Sequence, residues 1–185
     1  IVPQLDLTYT AFNYDNKLFH NKKLRQAMYL AFDEGKSNEL FYNNTAFPAQ
    51  SVIPPGIAGN IKGYANPFKG PNVEAAKKML AEAGYPEGKG LPEITYDIAD
   101  STTSRQMAEF FQKQMDQIGI KIKIQASPWP EFLAKQKKRS LQMFGAAWGA
   151  DYPDGENFLQ LLYGPNASPG ANSSNYNNPD FNKEF

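Results

Sequence analysis

Gly145-Ala146-Ala147-Trp148-Gly149-Ala150-Asp151-Tyr152-Pro153-Asp154-Gly155-Glu156-Asn157-Phe158 is the stretch on which the reading of this chain turns. An apolar run from Leu141 to Trp148 arrives and breaks at Gly149, and a carboxylate, Asp151, stands just past the break. Tyr152 and Pro153 follow. Asp154-Gly155-Glu156-Asn157 then opens an amphipathic helix carried by Phe158, Leu159, Leu161 and Leu162. Strand, glycine turn and helix start are how an α/β sheet holds one polar group at the mouth of a crevice. A structural reading covers the same residues, with Trp148 as core, Asp151 as a turn residue and Asp154 as a helix N-cap. On pattern alone that reading weighs more, because a fold carries many turns and caps for each site.

Working outward, the sequence has the length of one domain with a real core, at 185 residues. Lys plus Arg and Asp plus Glu balance at 19 each, so no polyanionic partner is implied, and nucleic-acid binding is not expected. The lack of cysteine excludes disulfides and thiolate metal sites. His20 is the single histidine, which argues against a multi-histidine metal centre, and no cofactor is expected. No apolar run approaches the roughly 18 residues of a membrane span. The opening Ile1-Val2-Pro3, already approaching a strand, and the close at Pro179–Phe185, which reads as a first helical turn, suggest a piece of a longer protein.

Periodicity fills in the architecture. Leu5, Leu7, Tyr9 and Ala11 alternate with polar residues as a half-buried strand. Asn21 caps a helix with the stripe Leu24, Ala27, Met28, Ala31 and Phe32, where Arg25 reads as a structural anchor. A long Pro-, Gly- and Asn-rich connection covers 43–64, pinned by Val52, Ile53 and Ile57. A second helix, Val73 to Ala83, stops at Gly84. Ile94, Tyr96 and Ile98 form a strand, Met107 to Ile118 a helix, and Ile120, Ile122 and Ile124 another strand. That is a βαβ unit with parallel strands, and the lysines between the isoleucines point to a solvent-facing side or an edge. A short helix follows Trp129, and its basic run 135–139 reads as a solvated face. The sequons at Asn43, Asn166 and Asn172 read as accidents of an Asn-rich loop composition.

The central stretch resembles the Trp-x-x-Asp-Tyr-x-(Asp/Glu)-x-x-x-Phe-Leu signature of the extracytoplasmic solute-binding proteins of family 5, the oligopeptide- and dipeptide-binding receptors of ABC importers. Trp148, Asp151, Tyr152, Asp154, Phe158 and Leu159 fit it in order and spacing. Further elements of the family have counterparts in Leu24-Arg25-Gln26-Ala27, in the Pro48–Gly56 loop and in Ala75–Tyr85. Trp129-x-x-Phe132-Leu133 and Asn172–Phe181 match two more. The resemblance implies an α/β fold with a mixed sheet and packed helices, one lobe of a type II periplasmic-binding-protein-like receptor. Residues 1–185 would be a single ligand-binding lobe, the continuous one inserted between the halves of the other. It further implies that Asp151 takes the free amino group of a bound peptide and that Trp129 lines the pocket. Trp148, Gly149, Ala150 and Tyr152 complete the implied ligand-binding set.

The partners so implied are an oligopeptide or similar small solute, the ABC permease subunits and the other lobe of the full-length receptor. The location implied is periplasmic or anchored at the cell surface, as for a lipoprotein. One departure bears on the ligand. Where well-studied oligopeptide receptors carry basic residues for a peptide carboxylate, this chain has Gln136 and Gly145. Peptide length therefore stays open, as does a non-peptide solute such as a sugar, an opine or a metal chelate. The alternative from another class is a carboxylate-dependent glycoside hydrolase domain, since Asp151, Asp154 and Glu156 are close in sequence. Acids at that spacing are more simply explained as caps and helix-dipole complements, so the chain is read as a non-enzyme.

Overall fold

Alternating residues build four strands: β1 (Asp6–Phe12), β2 (Ile94–Ala99), β3 (Ile122–Ser127) and β4 (Met143–Gly149). The computed structural model describes residues 5–185, so the approach expected at Ile1-Val2-Pro3 lies outside them. The sheet order is β1-β4-β2-β3. β2 and β3 are parallel, in register from Ile94↔Ile122 to Ala99↔Ser127, which is the expected βαβ pairing. β3 is an edge strand, and the exposed Lys121 and Lys123 lie at its start, where charge discourages pairing with another chain. β1 runs antiparallel to β4 from Asp6↔Gly149 to Phe12↔Met143. β4 is also parallel to β2, but only at Tyr96↔Met143 and Asp97↔Phe144. The three parallel strands thus end on one edge of a mixed sheet, as the α/β class requires.

The helices follow their caps and stripes. In α1 (Lys22–Ala31) the Asn21 side chain accepts from the Leu24 N–H at 3.2 Å, and Leu24, Ala27 and Met28 are buried. Arg25 donates to the Phe19 carbonyl and lies 5.9 Å from the Tyr14 ring centroid, a structural anchor. An additional helix, α2 (Glu34–Tyr42), follows; Asp33 caps it, accepting from Lys36 N–H at 2.8 Å, and Phe41 meets Phe110 edge-on. Next, α3 (Val73–Glu82) packs against α1, and the chain turns away at Gly84, whose φ of +99° suits glycine. Buried Phe111 and Met115 of α4 (Thr102–Asp116) join Leu24, Leu80, Ile94 and Met143 in the main core. Each such side chain contributes about 1.5–3 kcal/mol when fully buried. Three further helices, α5 (Trp129–Lys137), α6 (Glu156–Leu159) and α7 (Pro179–Glu184), complete the chain.

Asparagine side chains tie the C-terminal segment down. Asn13 donates to the carbonyls of Arg139 and Leu141 at 2.9 and 2.7 Å, and Asn175 donates to Asn13 at 3.0 Å. Asn172, fully buried, donates to the carbonyls of Tyr163 and Tyr176. Its sequon is therefore closed to a glycan in the folded chain. The basic run is also more engaged than a purely solvated face. Lys135 reaches Ser127 and Glu131, each at 2.8 Å, and Arg139 donates to the Ser168 carbonyl.

Asp97 is the titratable group to watch in the sheet, at 6% exposure. Burial pushes its carboxyl up, against the opposing pull of Lys135 and a backbone hydrogen bond from Gln142. With the folded pKa raised, the native state keeps a proton that the unfolded chain has released, so stability falls as pH rises through that window. We expect the stability of wild type relative to Asp97→Asn to be greatest below about pH 4, the unfolded carboxyl's range, and to decline as pH rises above it. Urea unfolding from that range upward measures it, and a flat or rising difference contradicts the assignment.

Candidate functional site

The carboxyl ends of β3 and β4 place the sequence-derived site residues on one edge of the sheet. β3 ends at Ser127, Pro128 follows, and α5 starts with Trp129, which is 57% exposed. One face of that indole stacks on Phe132, with centroids 5.7 Å apart and planes at 14°. Phe132 is buried with Ala11, Leu141 and Phe144, so Trp129 is a platform fixed from below and open above.

The end of β4 is built differently. Trp148 is half-buried against Leu7, Ile57 and Phe158, and its Nε1–H donates to Asn157 Oδ1 at 2.9 Å. The Asp151 N–H donates to the same oxygen at 3.1 Å, and the Ala150 N–H to the Leu5 carbonyl at 2.8 Å. The strand does not break at Gly149 as expected: Gly149 still pairs with Asp6, and the chain leaves at Ala150. A Cβ on Gly149 would meet nothing within 4 Å, so its bareness is not required by packing.

The nearby acids divide their work. Asp154 Oδ1 accepts from the Glu156 N–H at 2.9 Å, but the N-cap of α6 is Gly155, which has no side chain to cap with. Asp154 therefore tightens the turn into the helix from one residue before the cap instead of filling the N-cap role expected of it. Asp151 is exposed, and among the described residues its carboxylate has neither a hydrogen bond nor an ion pair. Tyr152 beside it is 44% exposed. The amphipathic helix is shorter than the apolar spacing suggests: α6 ends at Leu159 and a 3₁₀ turn, Gln160–Leu162, finishes it, with Phe158 and Leu161 buried. Asn157 was not singled out in the sequence; it is an amide in an otherwise apolar stripe, and only its buried position gives it meaning.

The long connection buttresses this turn. Ile57 is buried, and half-buried Val52 and Ile53 pack with it against Leu7 and Phe158, the expected pinning. Further along, the Tyr29 hydroxyl donates to the Ala49 carbonyl at 3.0 Å. Lys69 lies 3.6 Å from Glu34, whose carboxyl is nevertheless pushed up by burial. Gly155 is where the connection comes closest: a Cβ there would stand 2.6 Å from the Ala58 carbonyl oxygen.

Neither Gln136 nor Gly145, both half-buried, brings a cation to the edge. Among the described residues no three His, Cys, Asp or Glu side chains cluster as a metal site would require. Two surface hollows, of about 300 and 280 Å³, lie elsewhere, one beside Glu93, Asp116 and Lys121 and the other beside Asp15, Arg139 and Gln142. A wall of aromatics and a free acid with no facing surface encloses no volume of its own.

Comparison with known proteins gives this wall its context. Residues 1–170 match the family model described as bacterial extracellular solute-binding proteins, family 5 Middle. The chain belongs to that family, one of non-enzymatic binding proteins, which removes the glycoside hydrolase alternative. It is 30% identical to heme-binding protein A of Haemophilus influenzae over 96% of this chain and 32% of that protein. It is 28% identical to the dipeptide-binding protein of Escherichia coli K12 over 95% of this chain and 33% of that protein. Among solved structures it superposes on the Helicobacter pylori periplasmic binding protein DppA, in complex with the peptide STSA. The TM-score is 0.83 at 29% identity, covering 97% of this chain and 35% of that one. The murein tripeptide binding protein MppA of Escherichia coli gives 0.85 at 26% identity, covering 98% and 36%. The chain therefore spans about a third of the length of the relatives it matches.

Two outcomes follow from the geometry. With Trp129 open and Trp148 half-buried and hydrogen-bonded, acrylamide should quench Trp148→Phe, which keeps only Trp129, more steeply than Trp129→Phe; the reverse order contradicts the placement. Gly155→Ala must displace the Ala58 carbonyl, so it should cost about 1–3 kcal/mol in chemical denaturation. A neutral Gly155→Ala would mean that the connection does not bear on the turn.

Proposed function

We propose that this chain is one lobe of the solute-binding component of an ABC importer, capturing peptides with a free α-amino group outside the cytoplasmic membrane. The observation that carries the reading is the Asp151 carboxylate. It is exposed at the carboxyl edge of the parallel strands, engaged by no cap or cation among the described residues, and flanked by Tyr152. An α-ammonium is the complementary group, and it gains most when a second surface closes over the pair and excludes water. The second surface would be the other lobe of the full-length receptor, which would then present the closed complex to the permease subunits.

Two further features favour an extended peptide. β4 is laddered to β1 throughout but to β2 only at its first two residues, so alternate N–H and C=O groups of 145–149 face an open side. An extended backbone can add to such an edge, and Gly149 leaves room for it. Trp129 then offers an apolar, stackable face for a side chain. Named relatives fit this chemistry: a dipeptide-binding protein, a glutathione-binding protein and a structure in complex with Met-Leu all concern ligands with a free α-amine. The periplasmic or cell-surface location is carried over from relatives described as periplasmic and extracellular.

The test is Asp151→Asn in a full-length receptor carrying this chain, titrated with dipeptides by calorimetry and followed by thermal unfolding. Removing one partner of a desolvated charge pair strands the other, so affinity for free-amine peptides should fall about a hundredfold or more. The melting temperature should barely change, because no intramolecular bond of that carboxylate is lost. N-acetylated peptides should bind wild type poorly and be indifferent to the substitution. A destabilised variant with intact affinity makes Asp151 a turn residue and refutes the site; hemin binding indifferent to Asp151 would move the ligand class instead.

A further inference from the structure

We propose that Asn157 is the positioning residue of this site: its side-chain oxygen holds the Trp148 indole and the Asp151 backbone together and so sets the direction in which the Asp151 carboxylate is presented. The consequence for ligand affinity rests on the proposed function; the positioning itself does not.

Asn157 is fully buried, at 0% exposure. Its Oδ1 accepts from Trp148 Nε1–H at 2.9 Å and from the Asp151 N–H at 3.1 Å. Both partners are obligate donors, so the atom facing them has to be the oxygen and the amide cannot be reversed. The backbone of Asn157 is held as well. Its N–H donates to the Asp154 carbonyl at 3.2 Å, and its carbonyl accepts from the Gln160 side chain at 3.1 Å. Nδ2 is the exception: enclosed, it has no hydrogen-bond partner among the described residues.

That imbalance is informative. A buried amide donor left unpaired is destabilising, and an apolar residue of similar volume would avoid it in the stripe that holds Phe158 and Leu161. Such a residue would in turn strand two N–H groups, one on each side of the Gly149-Ala150 link. An acceptor is therefore required here, and the residue that supplies it holds positions 148 and 151 together at the cost of its own unpaired Nδ2. With the Ala150 N–H tied to Leu5, the chain is fixed at 148, 150 and 151, while the carboxylate itself stays untied. The scaffold is rigid and the functional group is free, as a preorganised binding group requires.

The test uses hydrogen exchange by NMR on this chain, with Trp148→Phe assigning the indole signals. In wild type the Trp148 indole N–H and the Asp151 amide should exchange at least about tenfold more slowly than the Trp129 indole, since exchange tracks local opening. Equal rates would overturn the proposal without any substitution at Asn157. Asn157→Ala should abolish protection at these two sites and leave the β2–β3 amides protected, whereas Asn157→Asp, which keeps the oxygen, should restore it. Retained protection in Asn157→Ala overturns the proposal.

In the full-length receptor, Asn157→Ala should weaken Met-Leu binding about tenfold or more, with Asn157→Asp recovering most of it. Leu161→Ala, a packing loss on the same stripe, should lower the melting temperature and spare affinity. Affinity unchanged by Asn157→Ala in a receptor that binds Met-Leu refutes presentation of the carboxylate. A wild-type receptor that ignores Met-Leu refutes the peptide reading, and the exchange rates then decide the role of Asn157 alone.

Discussion

The unequal pairing of β4 is the constraint on which the rest depends. On one side it is bonded to β1 along its whole length, and on the other it meets β2 for two residues only. The first arrangement joins the N-terminal strand to the βαβ unit across more than a hundred residues of sequence. The second leaves the far half of β4 as an edge within the sheet. A sheet normally blunts such an edge with charge, proline or a covering element. Here Gly145, Ala146, Ala147 and Gly149 on that edge are small residues that do not repel a partner backbone, and Trp148 between them packs into the cluster of Leu7, Ile57 and Phe158.

Support for that edge comes from two hydrophobic clusters that differ in origin. Phe132, Leu141 and Phe144 with Ala11 fill the side under α5 and fix the Trp129 platform. Leu7, Ile57 and Phe158 fill the side under the turn, drawing in the long connection through Ile57. The connection is thus structural in its apolar residues and in the close approach at Gly155. Stability in this region is placed beneath the surface: Trp129 is held by its stack on Phe132 with its other face open, and exposed Asp151 and Tyr152 stand outside both clusters. Side chains in that situation can be tuned for a ligand without unfolding what carries them.

Much of this was legible from periodicity and caps. The alternation in Ile94–Ile98 and Ile120–Ile124, the stripe of α1 under Asn21 and the stop at Gly84 are local patterns with local causes. Sheet order was not, because the partner of β1 is chosen by contacts across the whole chain. α2 escaped because only Ser37 of its residues is buried, so it carries no apolar stripe. Gly149 misled for a related reason: glycine weakens a strand in isolation, but a full ladder to β1 carries it through. The roles of the acids could not be separated from spacing, since Asp151 and Asp154 look alike until one carboxylate, that of Asp154, is seen to close a turn onto the Glu156 N–H and the other to stay unbonded among the described residues. Asn157 was invisible, as its two bonds run to residues whose meeting depends on the turn it stabilises.

The most direct measurement is a crystal structure of a full-length receptor carrying this chain, grown with a free-amine dipeptide. The ligand's α-ammonium should lie about 3 Å from an Asp151 carboxylate oxygen, with its backbone along the open side of 145–149. An ammonium paired with another residue, with Asp151 left in solvent, would contradict the assignment of this face.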